Sequence, residues 1–269
     1  MEKVFKTVIL EKNEGVAFIT LNQPQKMNAV DQEMIEEMIF AAKEVEDDPL
    51  VKVVVLTGSG RGFCAGGDLD STMYDIKDPG DLSGVLLRFG QLSLSLRNMP
   101  KPVIAMVEGI AAGAGFSFVL ACDIIIASDK ARFGHVYQNI GVQSDCGATY
   151  FLPRMVGTPK ACELIFTGDI IDAHEAERIG LVNRVVPAED LREKTMELAL
   201  RLAGKSSFAI GMAKKSIYQA SNMDLATAIE FETRAHTLTM LSDDMQEGIA
   251  AFKEKRSPEF KKRQKKHAG

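Results

Sequence analysis

Along the first part of the chain, apolar positions fall into short β-branched runs, separated by glycine-rich turns and by stretches of helical period. Val4, Val8 and Leu10 alternate with polar neighbours, and after Glu14-Gly15 the stretch 16–21 is almost wholly apolar. Two strands joined by a Glu-Gly turn account for both. Residues 22–28 read as loop. From Asp31, a favoured N-cap, apolar side chains recur at Met34, Ile35, Met38, Ile39, Ala42 and Val45, which predicts a helix ending before Pro49. The runs at 51–56, 102–107 and 123–128 are rich in Val and Ile without alternation, the mark of parallel strands covered on both faces. Residues 81–97 have helical period, and 109–121 are built of small side chains. Beyond Gly157 the pattern becomes helical, at 160–166, 173–179, 190–203, 208–220, 225–241 and 245–254, with one short strand at 181–186.

Strands alternating with helices predict an α/β unit whose chemistry lies in the strand-to-helix turns. The expected division is an α/β core over residues 1–190 and a helical region over 191–269, ending in a basic tail, Lys261-Lys-Arg-Gln-Lys-Lys-His267.

Composition narrows the options. The 269 residues are 46% hydrophobic and 26% charged, ordinary globular usage that excludes disordered and fibrous classes. No apolar run reaches the ~18 residues of a membrane helix, and the first twenty residues include Glu2, Lys3, Lys6, Glu11 and Lys12, so a cytoplasmic protein is expected. A net charge of −5 and the absence of Trp argue against nucleic acid as the main partner. The four cysteines form no C-x-x-C pair, and His135 and His174 lie among residues without metal-ligand spacing, so no metal is expected.

Four glycine-rich or serine motifs invite chemistry. Thr57-Gly-Ser-Gly-Arg-Gly-Phe63 follows a strand, but Phe63 takes the position where the dinucleotide fingerprint needs its last glycine. Gly115-Phe-Ser-Phe-Val119 fails the nucleophile elbow, because Val119 replaces the closing glycine. The loops Gly62-Phe-Cys-Ala-Gly-Gly-Asp-Leu69 and Val107-Glu-Gly-Ile-Ala-Ala-Gly-Ala-Gly-Phe-Ser117 are stronger. Each follows a buried strand, precedes an expected helix and lets main chain approach a ligand closely. Two unsatisfied amides aimed at one point would make an oxyanion hole. Tight helix packing explains one such loop easily and two less well.

At these loops the chain resembles the crotonase superfamily, the enoyl-CoA hydratase/isomerase group. The resemblance runs from Leu21-Asn-Gln-Pro-Gln-Lys-Met-Asn-Ala29 through both loops and Leu152-Pro-Arg-Met-Val-Gly157 to Ala251-Phe-Lys-Glu-Lys-Arg-Ser-Pro-Glu-Phe260. It implies a spiral of ββα turns with a C-terminal helical trimerisation region, acting on acyl-CoA thioesters as a homotrimer or dimer of trimers. It implies no separate cofactor, because coenzyme A is part of the substrate. The family's two oxyanion-hole amides map onto Gly67 and Ala114. Ala65, Gly66, Gly67, Asp68 and Leu69 would embrace coenzyme A, with Asn28 and Ala29 beside them. The family's hydratases carry glutamates at the positions of Ser117 and Tyr137, which leaves these two as candidate contributors only. The one carboxylate in this stretch is Asp145, placed like the catalytic aspartate of several enoyl-CoA isomerases, the ring-opening isomerase of phenylacetate degradation among them. Asp145 could equally cap the helix that follows it.

Three alternatives stand beside an isomerase. One is a hydratase with an atypical site. Another is an aspartate-nucleophile dehalogenase, whose pattern has Trp at Tyr137 and His near Gly90. The third is a non-catalytic member that binds acyl-CoA, or RNA through the basic tail.

Overall fold

The computed structural model describes residues 2–71 and 75–260. The basic tail lies outside the described residues. A seven-stranded sheet runs in the order β1 (Glu2–Val4), β2 (Val8–Asn13), β3 (Val16–Leu21), β4 (Val53–Gly58), β5 (Val103–Val107), β7 (Ile124–Ser128), β10 (Arg184–Val186). The first three strands are antiparallel, and from β3 onward every neighbour is parallel. Glu14 and Gly15, both left-handed at φ 49° and 82°, close the β2–β3 hairpin between paired Asn13 and Val16. A two-residue turn with both φ positive matches the twist of the strands it joins.

Alternate residues of β3, β4 and β5 face two different cores. Ala17, Ile19, Leu21, Val54, Leu56, Val103 and Ala105 meet α1 (Gln32–Asp47), α2 (Pro79–Asn98) and α3 (Ala114–Ala121) in the larger one. Val16, Phe18, Val53, Val55, Ile104 and Met106 form the other face, which α7 (Leu191–Ala203) covers with Leu191, Ala199 and Ala203. The α7 helix is therefore the second cover of the sheet, so the 190/191 division runs between the sheet and one of its own layers. Both faces being covered is why these strands read as unbroken apolar runs.

A second, three-stranded sheet joins β6 (Ile110–Ala112), β8 (Arg132–Gly134) and β9 (Ile170–Asp172). Isolated bridges Val30↔Gly67 and Cys64↔Ala111 extend this layer. Each turn of chain thus lays one strand in the large sheet, one short stretch in the small layer, and then a helix, as in β5–β6–α3. The small layer carries the two glycine-rich loops.

Helices α4 (Ala148–Val156), α5 (Thr158–Thr167) and α6 (Ala173–Arg178) follow. Then α8 (Ser207–Ala220), α9 (Leu225–Met240) and α10 (Asp243–Glu254) form the helical region. A buried polar cluster fastens α8 to the core. Lys214 lies 2.7 Å from Asp123 and donates to the carbonyls of Leu96 and Lys101 at 3.0 and 3.1 Å. Tyr218 also donates to Asp123, at 2.6 Å. Removing one member of such a buried pair costs about 3–5 kcal/mol, because the remaining charge is left uncompensated.

Candidate active site

The first loop follows β4 and turns back under the strap of residues 23–30. The Ala65 N–H donates to Met27 O, the Val30 N–H to Gly66 O, and the Asp68 N–H to Val30 O. In this parallel bridge Val30 pairs with the residues either side of Gly67, so the Gly67 N–H is left on the opposite edge. The helix expected after this loop is α2, which begins at Pro79, twelve residues beyond Gly67, so bridge geometry and not a helix terminus frees the amide.

The second loop does start a helix. Ala114 is the first residue of α3, and the first four N–H groups of a helix have no partner within it. Gly113, at φ 51°, makes the turn, and its N–H is taken by Gly134 O. Gly66 and Gly113 press together: a Cβ on Gly66 would lie 3.2 Å from Ala112 O and 3.7 Å from Gly113 Cα. The two loops therefore meet at the residues preceding Gly67 and Ala114.

Beside them lies a short 3-10 helix, 136–140, which the sequence analysis did not anticipate. It carries Tyr137, whose ring lies 3.9 Å from where a Cβ on Gly113 would be. The Tyr137 hydroxyl donates to Asp145 Oδ1, and Ser117 Oγ stands 3.4 Å from the same hydroxyl. Ser117 is fully buried and its hydroxyl reaches Gly113 O at 3.2 Å. Burial, reinforced by the negative charge of Asp145, pushes the Tyr137 phenol far above its usual range, so it stays a donor. Asp145 does not cap α4: the N-cap residue is Gly147, and only the Asp145 main-chain oxygen meets the helix, from the Ala148 N–H. Its half-buried carboxylate is therefore available to the site.

His135, expected in a surface or packing role, packs against the Tyr137 ring. It is 1% exposed, its ring centre lies 5.0 Å from that of Tyr137, and neither ring nitrogen has a hydrogen-bond partner. Burial lowers its pKa, which favours the neutral imidazole. His174 is exposed. Cys146, next to Asp145, is buried and left-handed at φ 53°, and burial raises its thiol pKa well beyond that of a reactive cysteine.

Of the residues proposed to embrace coenzyme A, Ala29, Ala65 and Gly67 are half-buried, Gly66 is buried, and Leu69 is 61% exposed. The Asp68 carboxylate is occupied by Lys26 Nζ at 2.6 Å, an interaction that holds its pKa below the usual range. Asn28 is completely buried. Among the described residues no three His, Cys, Asp or Glu side chains are grouped so as to hold a metal ion. No helix among them is long and apolar enough to cross a membrane.

The two glycine-rich loops press together at Gly66 and Gly113, and the Tyr137–Asp145 pair lies beside Gly113. A family model described as enoyl-CoA hydratase/isomerase matches residues 11–264. The chain belongs to this family. It is an acyl-CoA enzyme with the crotonase fold. It is 37% identical over 255 residues to the 1,2-epoxyphenylacetyl-CoA isomerase of Escherichia coli (strain K12), covering 94% of this chain and 97% of that one. It is 35% identical over 261 residues to the crotonyl-CoA hydratase of Syntrophomonas wolfei, covering 95% and 98%. The crystal structure of an enoyl-CoA hydratase from Bacillus anthracis superposes with a TM-score of 0.92 at 33% identity, covering 96% of this chain and 100% of that one. Relatives within the enoyl-CoA hydratase/isomerase family thus carry both reaction names.

Proposed function

We propose that this family member is an enoyl-CoA isomerase that moves a double bond along an acyl-CoA, with Asp145 as the single acid/base. The observation that carries the reading is the Tyr137 hydroxyl bonded to Asp145. It makes the acid/base equipment one carboxylate oriented by a phenol. A hydratase must both activate a water and deliver a proton, which calls for two groups. The two positions where the family's hydratases have glutamates hold Ser117 and Tyr137 here, and neither supplies a base.

Asp145 takes a proton from C2 of a 3-enoyl-CoA. The electrons pass through C1 to the thioester oxygen, giving a dienolate that the Gly67 and Ala114 amides stabilise. The protonated Asp145 returns the proton at C4, leaving the double bond between C2 and C3. Amides preorganised toward the developing oxyanion favour the dienolate over the ground state, and each is worth about 3–4 kcal/mol. No further cofactor enters this sequence, since coenzyme A is carried by the substrate.

The hydratase reading keeps support from the relatives named as hydratases. Incubation with crotonyl-CoA in H₂¹⁸O separates the two. The isomerase reading expects conversion of a 3-enoyl-CoA to its 2-enoyl isomer and negligible ¹⁸O in 3-hydroxybutyryl-CoA. Rapid labelled hydration would favour the atypical hydratase.

We also propose a homo-oligomer, a trimer or dimer of trimers. Leu238, Leu241 and Phe252 on and beside α9 and α10 are 54%, 79% and 86% exposed. An open apolar groove of about 580 Å³ runs between α8 and α9, lined by Met212, Ile217 and Ile229. Exposed apolar surface of this kind marks contact with a partner.

A further inference from the structure

We infer that Asn28 is a positioning residue of the oxyanion hole and not a contact to coenzyme A. The inference rests on the reading of Gly67 and Ala114 as the oxyanion donors. Asn28 is left-handed at φ 55°, as is Met27 before it at φ 50°, and its side chain has no exposed surface. Its Nδ2 donates to Gly62 O at 2.8 Å, to Ser59 O at 2.9 Å and to Phe63 O at 3.2 Å, while Oδ1 accepts the Gln23 N–H at 2.9 Å. The two amide protons are thus shared among three carbonyls, and none is left for a ligand.

What those carbonyls belong to is the reason to assign a role. Phe63 leads directly into Cys64, whose N–H donates to Ile110 O and whose oxygen accepts the Ala112 N–H, both at 2.9 Å. Cys64 also rests on the first turn of α3: a Cβ on Gly115 would fall 2.5 Å from its Cβ and 2.6 Å from its oxygen. One side chain therefore ties the strap of residues 23–30 to the stretch that sets the distance between the Gly67 loop and the start of α3. Main-chain donors have no side chain of their own to aim them, so their spacing is fixed by such anchors. An oxyanion donor acts only within about 2.7–3.1 Å of the developing charge, and a misplacement of about 1 Å costs on the order of 100-fold in rate.

The test uses acetoacetyl-CoA, whose enolate has an ultraviolet band of its own, as a probe of the hole, and butyryl-CoA as a probe of ground-state binding. Asn28→Gly keeps the left-handed backbone and deletes only the side chain. The inference expects the enolate band of bound acetoacetyl-CoA to be lost and kcat to fall about 100-fold, with the butyryl-CoA dissociation constant unchanged. Asn28→Ser, which retains one donor and one acceptor, covers a glycine variant that does not fold, and should keep part of the band. A variant that binds butyryl-CoA more weakly while keeping kcat and the band would make Asn28 a ligand contact and overturn the inference. A full band in both variants would overturn it as well. Absence of the band in the unaltered enzyme would instead remove the oxyanion reading itself, and the inference with it.

Discussion

The proposed oxyanion donors and the proposed base with its phenol partner are held in opposite ways. Gly67 and Ala114 belong to main chain with almost no free space: Cys64 and Ser117 are wholly buried, and Gly115 has no room for a methyl group. Tyr137 and Asp145 ride on a short 3-10 helix and a loop that turns through left-handed Gly141, Cys146 and Gly147. Moving the first pair means repacking the core, whereas exchanging a side chain in the second leaves the frame intact. That difference explains how one architecture, superposing with a TM-score of 0.92 at 33% identity, holds relatives of different reaction names. In the proposed mechanism, stabilisation of the enolate is built into the backbone, and the fate of the proton is set by a few exchangeable side chains.

If this contrast is right, substitutions in the two regions should fail differently. The largest effect is expected for Gly115→Ala, whose new Cβ would meet Cys64 Cβ, O and Sγ at 2.5, 2.6 and 2.7 Å. Two backbone segments must part, so denaturant unfolding should show a loss of about 3 kcal/mol, the upper range for overpacking, together with loss of activity. An unchanged midpoint would contradict the claim that the donors are fixed by lack of space. Tyr137→Phe should cost less stability than Gly115→Ala, since water can replace the phenol at half-buried Asp145, while kcat drops. Hydrogen bonds to charged groups contribute about 1.5–3 kcal/mol, or roughly 10- to 150-fold. Equal kcat in this variant would show that the phenol does not orient Asp145.

The smallest effect concerns Lys26→Met. Lys26 holds the Asp68 carboxyl below its ordinary pKa, so the stabilisation is present above about pH 4 and disappears as pH falls through the folded-state value. Thermal midpoints of the variant and the unaltered enzyme should differ slightly at neutral pH and converge in acid. Added salt should also shrink the difference, since Lys26 is half exposed. A gap that widens in acid would have the wrong sign.

Much of the frame was legible in the chain. The Val- and Ile-rich runs gave the parallel strands, and Asp31 caps α1 by accepting the Met34 N–H at 2.9 Å. The small sheet was not legible, because strands of three residues such as Ile110–Ala112 and Arg132–Gly134 are too short for any period to show. Gly67 and Ala114 were singled out by resemblance and not by spacing, and no sequence pattern could show that bridge geometry frees one amide and a helix start the other. Two partnerships were likewise invisible: Asn28 with carbonyls more than thirty residues away, and His135 with the Tyr137 ring. The left-handed Met27-Asn28 pair is one local hint, since Asn tolerates that conformation better than most side chains.

The account turns on Asp145 as the group that removes the proton at C2. The direct measurement is exchange of that hydrogen in D₂O for a bound 3-enoyl-CoA, followed by NMR or mass spectrometry in the unaltered enzyme and in Asp145→Asn. The amide is nearly the same size and still accepts the Tyr137 hydroxyl, so thioester affinity should persist while exchange and isomerisation disappear. Exchange continuing in Asp145→Asn at the unaltered rate would contradict the assignment and transfer the chemistry to another group.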